Sequence, residues 1–357
     1  MNLYLTRSGR LRRKDNTLSF EMVQLPEEEM LADPDIDLTD IAEEALDSAP
    51  ETSKHALPIE TIDAIYLFGE ISVNTRLLNF LAQKKVPVHV FNYYGHHAGS
   101  FFPHAEQLSG DLVVRQAAAY TDLSQRIILC RQILGASIHN ILSLMLYYFR
   151  RREVPELRDS IEKIRKLSWG VPNAQTPNEL MGIEGTVRRI YYSSWKYWLG
   201  ETAEHFSRTY HPPETPLNAL ISFVNSLLYT ACVSEIYRTA LYPGISYLHS
   251  AGTRRFSLAL DLTEPFKPVM CDRLVFRLWN TRAIQDKDFM KYTNGYILTD
   301  EARKKILGEW DTLLRATVFY KNLDRSVSYR QLLRLDCYKL IKFLLEGQDF
   351  MPFHMEF

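Results

Sequence analysis

Apolar positions in the first hundred residues come in short alternating or continuous blocks, the spacing of strands. Leu3-Tyr4-Leu5 and Thr17-Leu18-Ser19-Phe20 flank the basic stretch Arg10 to Lys14 and read as a hairpin around a basic turn. Strand-like blocks return at Ala64 to Phe68 and Val86 to Phe91. Between them, Leu77, Leu78 and Leu81 give residues 74–83 the spacing of a helix. Tyr94 to Gly99 marks a turn, a short strand follows to Phe102, and Pro103 closes the section. From about Leu108 the period changes to that of long helices, predicted over 112–150, 154–167, 177–199, 217–241 and 256–281. Two more are expected, one from about Asp300 and one over 329–345. The helix beginning at Pro177 opens with Thr176-Pro177-Asn178-Glu179, a threonine cap, a proline at the first helical position and a glutamate in capping-box register. The expected fold class is α+β: a small N-terminal β-rich domain at 1–102, then a larger all-α domain at 103–357.

Composition changes this picture in two places. Residues 132–149 and 215–234 carry no Asp, Glu, Lys or Arg, but Asn140, Ser143, Asn218 and Asn225 interrupt them with polar groups that lipid would penalise. Buried core helices are therefore expected rather than membrane spans. The net charge of −1 hides an asymmetry: eleven acidic residues and no Lys or Arg lie between Glu27 and Glu51. Without them the chain carries 42 basic against 32 acidic residues, enough for a polyanion-binding surface. Residues 27–53 read as a solvated insertion. Cys130, Cys232, Cys271 and Cys337 are scattered, and no apolar leader follows Met1, which together point to the cytoplasm.

Candidate chemistry lies where carboxylates interrupt apolar stripes. Leu180, Val187, Tyr191, Trp195 and Trp198 form one face of a helix, and Glu184 fills the gap between Leu180 and Val187. A core-facing carboxylate costs several kcal/mol unless it is paired or bound to metal. Arg188, one turn on, is the structural alternative. Asp261 and Glu264, three apart in an otherwise apolar segment, project from the same face of a helix. Such a pair calls for a cation, either Arg254, Arg255 or Lys267, or a divalent metal. His249 follows a helix break at Tyr242-Pro243-Gly244 and reads either as a hydrogen-bonded core histidine or as a nitrogen ligand.

Several segments resemble the CRISPR-associated integrase and endonuclease family of the spacer-acquisition (adaptation) module. They are Leu67-Phe68-Gly69-Glu70, Gly182-Ile183-Glu184-Gly185, Tyr242 to His249, Leu258 to Pro268, and Leu298 to Arg303. The likeness runs from Leu3 to Phe353. It implies a homodimer formed through the N-terminal regions and one Mg²⁺ or Mn²⁺ held by Glu184, His249 and Glu264, with Asp261 beside them. Which of Asp261 and Glu264 touches the ion directly stays open. The acidic run is longer than the loop expected there.

The implied activity is metal-dependent insertion of spacers into a CRISPR array. A 3′-hydroxyl attacks a phosphodiester, an exchange that needs no nucleotide cofactor, and no phosphate-binding glycine loop appears. The implied partners are double-stranded DNA, as spacer precursor and repeat, and the small second-numbered CRISPR adaptation protein; no membrane is expected. Arg188, Arg189, Arg254, Arg255, Lys267, Arg273 and Arg277 cluster in sequence around the proposed ligands as candidate DNA contacts. The alternative is a metal-dependent DNA nuclease acting in repair without integration, because one ion serves water and a 3′-hydroxyl alike.

Overall fold

The computed structural model describes residues 1–22, 55–92, 94–103, 109–151, 154–203, 206–209, 212–252, 256–292 and 295–355. The acidic insertion expected at 27–53 lies outside them, as do Arg254 and Arg255. The chain divides into two compact units, Met1–Ala105 with Thr299–Leu307, and Glu106–Leu298 with Gly308–Phe357.

In the first unit short apolar blocks, some alternating with polar residues, make strands. Along β2 (Gly9–Lys14) Leu11 is buried while Arg10 and Arg12 turn the other way. The stretch expected as a basic turn is therefore a strand. It forms the hairpin with β3 (Thr17–Met22), and Asp15 makes the corner at φ 52°, a left-handed conformation that Asp tolerates. Gly9 opens β2 where a Cβ would stand 2.3 Å from the Glu21 carbonyl oxygen, so no larger residue fits. β4 (His55–Pro58) and β6 (Ile71–Val73) complete this sheet in the order β4-β3-β2-β6. The second sheet runs β1 (Asn2–Leu5), β5 (Ala64–Leu67), β7 (Val88–Phe91) and β8 (His97–Phe101). Here β1 lies parallel to β5, with Leu3 opposite Ile65. Leu3, Leu11, Leu18 and Ile65 from the two sheets share one core with Leu77 and Phe80 of α1 (Thr75–Gln83).

The second unit is mainly helical. The apolar run 112–150 divides at Asp122 into α2 (Gly110–Thr121) and α3 (Leu123–Phe149), because the Asp122 carboxylate accepts the Ser124 N–H at 2.9 Å and caps a new helix. α4 (Pro155–Ser168) and α5 (Pro177–Ser193) pack on α3, and α6 (Lys196–Leu199) continues the line of α5. α7 (Pro216–Tyr237) buries residues on every side, Leu220, Val224, Leu227 and Leu228 at 0% exposure. Among the described residues, helices α3 and α7 are long and apolar enough to cross a membrane, and in this unit both are mostly packed inside. The segment expected as one helix over 256–281 is three pieces: α8 (Ser257–Thr263), a π-helical turn (Lys267–Asp272) and α9 (Arg273–Asn280). Pro265 and Pro268 lack the N–H that a continuous helix needs there. α10 (Asp300–Arg315) is divided, residues 300–307 belonging to the first unit and 308–315 to the second, and α11 (Tyr329–Glu346) follows, ended by Gly347 at φ 67°. Two hairpins were not expected in an all-α part: β9 (Phe289–Tyr292) with β10 (Gly295–Leu298), and β11 (Thr317–Tyr320) with β12 (Arg325–Ser328).

The last described residues are built into this unit. The fully buried Asn140 amide donates to the carbonyls of Pro265 at 2.7 Å and Phe353 at 3.0 Å, and its oxygen accepts the Met355 N–H at 2.7 Å. The Phe353 ring stacks on Phe266 with centroids 5.0 Å apart. Asp336, buried in α11, takes the Phe353 N–H at 2.8 Å.

Candidate metal centre and its basic cavity

Helix α5 brings the first acid. Thr176 accepts the Glu179 N–H at 3.2 Å as the cap pattern requires, while the Glu179 carboxylate returns to the Gln175 N–H rather than to that of Thr176. The stripe Leu180, Val187, Tyr191, Trp195 and Trp198 is buried throughout. Trp195, between α5 and α6, meets Phe276 of α9 edge-on at 4.6 Å. Glu184, in the gap of that stripe, is one-fifth exposed, and Arg188 donates to it through Nε at 3.1 Å. The ion pair read as the structural alternative is thus present. Arg188 does more, because its Nη2 also bonds Glu264. One guanidinium therefore joins the two glutamates, 80 residues apart in sequence.

Among the described residues no Lys or Arg bridges Asp261 and Glu264. Asp261, fully buried in α8, sits in a nest of three backbone N–H groups from Tyr247, Leu248 and His249 at 2.6, 2.9 and 2.9 Å. Its Oδ1 also meets His249 Nδ1 at 2.7 Å. That bond places the proton on Nδ1 and the lone pair on Nε2, the arrangement by which a carboxylate orients a metal-binding imidazole. Glu264 instead meets Arg188 and Lys267, the latter at 2.5 Å. Of the three cations considered for the acid pair, Lys267 is placed there and the other two lie outside the described residues.

The electrostatics follow from these contacts. Burial by itself would raise the Glu264 pKa, yet the charges of Lys267, Arg188 and His249 hold it well below the usual carboxylate range. Burial would lower the His249 pKa, and the bond to Asp261 with the Asp261 and Glu264 charges raises it instead. His249 and Glu264 are thus near enough to feel one another. Asp272 is pushed up to about 6 by burial, which the Arg188 charge and the Tyr191 hydroxyl bond at 2.9 Å only partly offset.

Among the described residues no three His, Cys, Asp or Glu side chains gather as a ready cage for an ion. Arg188 stands between the two glutamates, and Asp261 is saturated by the loop. The donor chemistry nonetheless fits a divalent cation: an imidazole oriented by Asp261, three residues before Glu264, and Glu184 within one guanidinium of Glu264. The saturated Asp261 fits an orienting part better than a direct one.

Beside the acids lies a cavity of about 380 Å³ whose lining includes Glu184, Arg188, Arg189, Arg208, Lys267 and Tyr192. Arg208 escaped the sequence reading. It is held by Asn218 at 3.0 Å and Ser222 at 2.9 Å, polar positions in the charge-free stretch of α7, which were the one available signal. Asn225, one turn further along α7, also faces the cavity. Of the other expected DNA contacts, Arg189 is exposed on the cavity wall, Arg188 is buried against the acids, and Arg273 is half-buried. Arg277 pairs with Glu309 at 2.5 Å on the surface. Tyr191 is core, fully buried beneath its neighbours.

Comparisons with known proteins agree over the whole length. The family model of CRISPR associated protein Cas1 matches residues 3–312. The CRISPR-associated endonuclease Cas1 2 of Thermodesulfovibrio yellowstonii is 40% identical over 355 residues, 99% of this chain and 98% of that protein. The CRISPR-associated endonuclease Cas1 of Fusobacterium nucleatum is 38% identical, covering 99% of this chain and 96% of its own. Among solved structures, a CAS1 protein from Thermotoga maritima matches with TM-score 0.80 at 34% identity, covering 100% of both chains. A casposase bound to integration product shares the fold, with TM-score 0.80 at 18% identity, covering 100% of this chain and 95% of that one. The strand-rich start, the helical remainder and these matches agree: the chain belongs to the Cas1 family of CRISPR-associated proteins.

Proposed function

We propose that this protein is a divalent-metal-dependent DNA endonuclease and integrase that inserts new spacers into a CRISPR array by attack of a 3′-hydroxyl on a phosphodiester. The observation that carries the reading is the convergence of Glu184 and Glu264 on one guanidinium, with His249 held by Asp261, three residues before Glu264. Glu184, His249 through Nε2, and Glu264 would hold Mg²⁺ or Mn²⁺, which when bound supplies charge neutralisation at the scissile phosphate. Asp261 keeps the His249 ring turned with Nε2 outward. Arg189, Arg208 and Lys267 on the cavity wall draw the DNA backbone against the acids. Aromatic packing of Trp195 on Phe276 keeps this frame rigid.

Residues 1–102 are the region through which two copies pair, and 103–357 the catalytic region. Double-stranded DNA and the small second-numbered adaptation protein are the partners, and the reaction takes place in the cytoplasm. A Cas6-RT-Cas1–Cas2 complex contains a chain of this fold, at TM-score 0.79 and 19% identity. The relatives' name, endonuclease, favours a second outcome in which water replaces the 3′-hydroxyl.

Strand transfer of short 3′-hydroxyl duplexes into a supercoiled repeat plasmid separates these. The wild type with its small partner and Mn²⁺ is expected to join strands, and Glu184→Ala or chelation to reduce joining at least a hundredfold. Cleavage without joining would leave only the nuclease. Unchanged activity in Glu184→Ala would remove both.

A further inference from the structure

We infer that Arg188 is an internal stand-in for the divalent cation, clamping Glu184 and Glu264 until an ion arrives and then turning into the adjacent cavity to take a DNA phosphate. This rests on Glu184 and Glu264 being ligands, as proposed above, and adds how the site is loaded.

The geometry sets up a competition. Arg188 donates Nε to Glu184 at 3.1 Å and Nη2 to Glu264, so each glutamate already spends one oxygen on it. Its side chain is 11% exposed, those of Glu184 and Glu264 20% and 3%. Two acids this enclosed repel unless a cation lies between them, and the chain supplies one from a single turn along the same helix. A bound ion shared by both acids needs the place that the guanidinium fills.

Charge counts the same way. Glu184, Glu264, Arg188 and Lys267 together are neutral. A divalent ion entering beside an unmoved Arg188 would leave two surplus positive charges in a buried place, which is costly. Release of Arg188 removes that conflict only where an anion receives it.

The receiving place adjoins the pair. Arg188 lines the cavity with Arg189, Arg208 and Lys267, and its Nη1 is buried with no hydrogen-bond partner among the described residues. Rotation of side-chain torsions suffices, because Arg188 sits on the interior of α5 and its backbone need not move. A phosphate in the cavity then accepts the fork of the guanidinium. Ion and DNA each favour the same position of Arg188, so each strengthens the binding of the other.

The test is Mn²⁺ titration of the full chain, followed by the electron paramagnetic resonance of free Mn²⁺, for wild type, Arg188→Gln, Arg188→Lys and Glu184→Gln. Circular dichroism melts verify folding. Removal of the competitor is expected to lower the Mn²⁺ Kd at least tenfold in Arg188→Gln. Arg188→Lys, which keeps a charge but cannot bridge, should lower it at least threefold and covers failure of the glutamine variant to fold. A short DNA duplex should tighten Mn²⁺ binding to wild type at least fivefold more than to Arg188→Gln, where only direct contact of the ion with phosphate remains; equal tightening in both overturns the inference. Equal or weaker Mn²⁺ binding by the folded Arg188 variants overturns the inference while the ligand reading stands, provided Glu184→Gln loses the site. Absence of Mn²⁺ binding from wild type and Arg188 variants alike, or retention by Glu184→Gln, sinks the ligand reading and the inference with it.

Discussion

Asp272 illustrates how much a single buried acid sets. Its folded pKa of about 6 lies above the ordinary 3.8, so the folded protein keeps a proton that the unfolded chain releases. Stability from this group is therefore lost as pH rises from about 4 to about 6, and is level above. Asp272→Asn keeps an acceptor for Tyr191 and cannot ionise. Its melting temperature should gain on wild type between pH 4 and 7 and then hold, worth up to about 3 kcal/mol; a gap independent of pH would contradict the burial argument. Asp261 is held differently, its carboxylate met by three backbone N–H donors and by His249. Asp261→Asn turns an amide NH₂ toward those donors, costing about 1–3 kcal/mol. It should weaken Mn²⁺ binding about 10- to 100-fold through loss of the ring's orientation, measured by the same titration. Glu184 was legible beforehand because an acid broke an apolar stripe. The division between Asp261 and Glu264 was not, since helical projection put both on one face while their partners come from a loop and from a distant helix. Arg208 was hidden for a similar reason: Asn218 and Ser222 read only as interruptions of an apolar run.

Elements were legible where the deciding signal was local. The Thr176-Pro177 and Thr215-Pro216 starts act as caps, and Thr215 accepts the Asn218 N–H at 3.1 Å. Thr176→Ala should cost about 1 kcal/mol in denaturant unfolding, with an unchanged slope; no loss would mean that packing alone starts α5. Breaks within a sustained period were missed. Asp122 divides α2 from α3 with one side chain, and Pro265 with Pro268 interrupts 256–281 where the apolar spacing runs on. The two late hairpins have strands of four residues lying between segments of helical spacing, and that spacing hid them. The β1–β5 pairing joins residues about sixty apart, which only the folded sheet reveals.

At the scale of the whole molecule, a near-zero net charge coexists with a strongly basic cavity wall, so DNA affinity should fall steeply with salt. Arg189→Ala, exposed on that wall, is expected to reduce the log–log salt slope by about 1, read by fluorescence anisotropy of a labelled duplex. Arg277→Ala, whose charge is engaged by Glu309, should change the slope less. Equal slopes for Arg189→Ala and wild type would move the DNA path elsewhere. The overall plan, strands first and helices after, was readable from the change of apolar period near Leu108. What no period could announce is the anchoring of the far end. Because the Asn140 amide grips both Pro265, next to Glu264, and Phe353, the acidic segment is finished only when residues near 353 reach it. A ribosome that has translated every proposed ligand still holds an unset blade, and removal of the residues near 353 is expected to dull it without touching an acid.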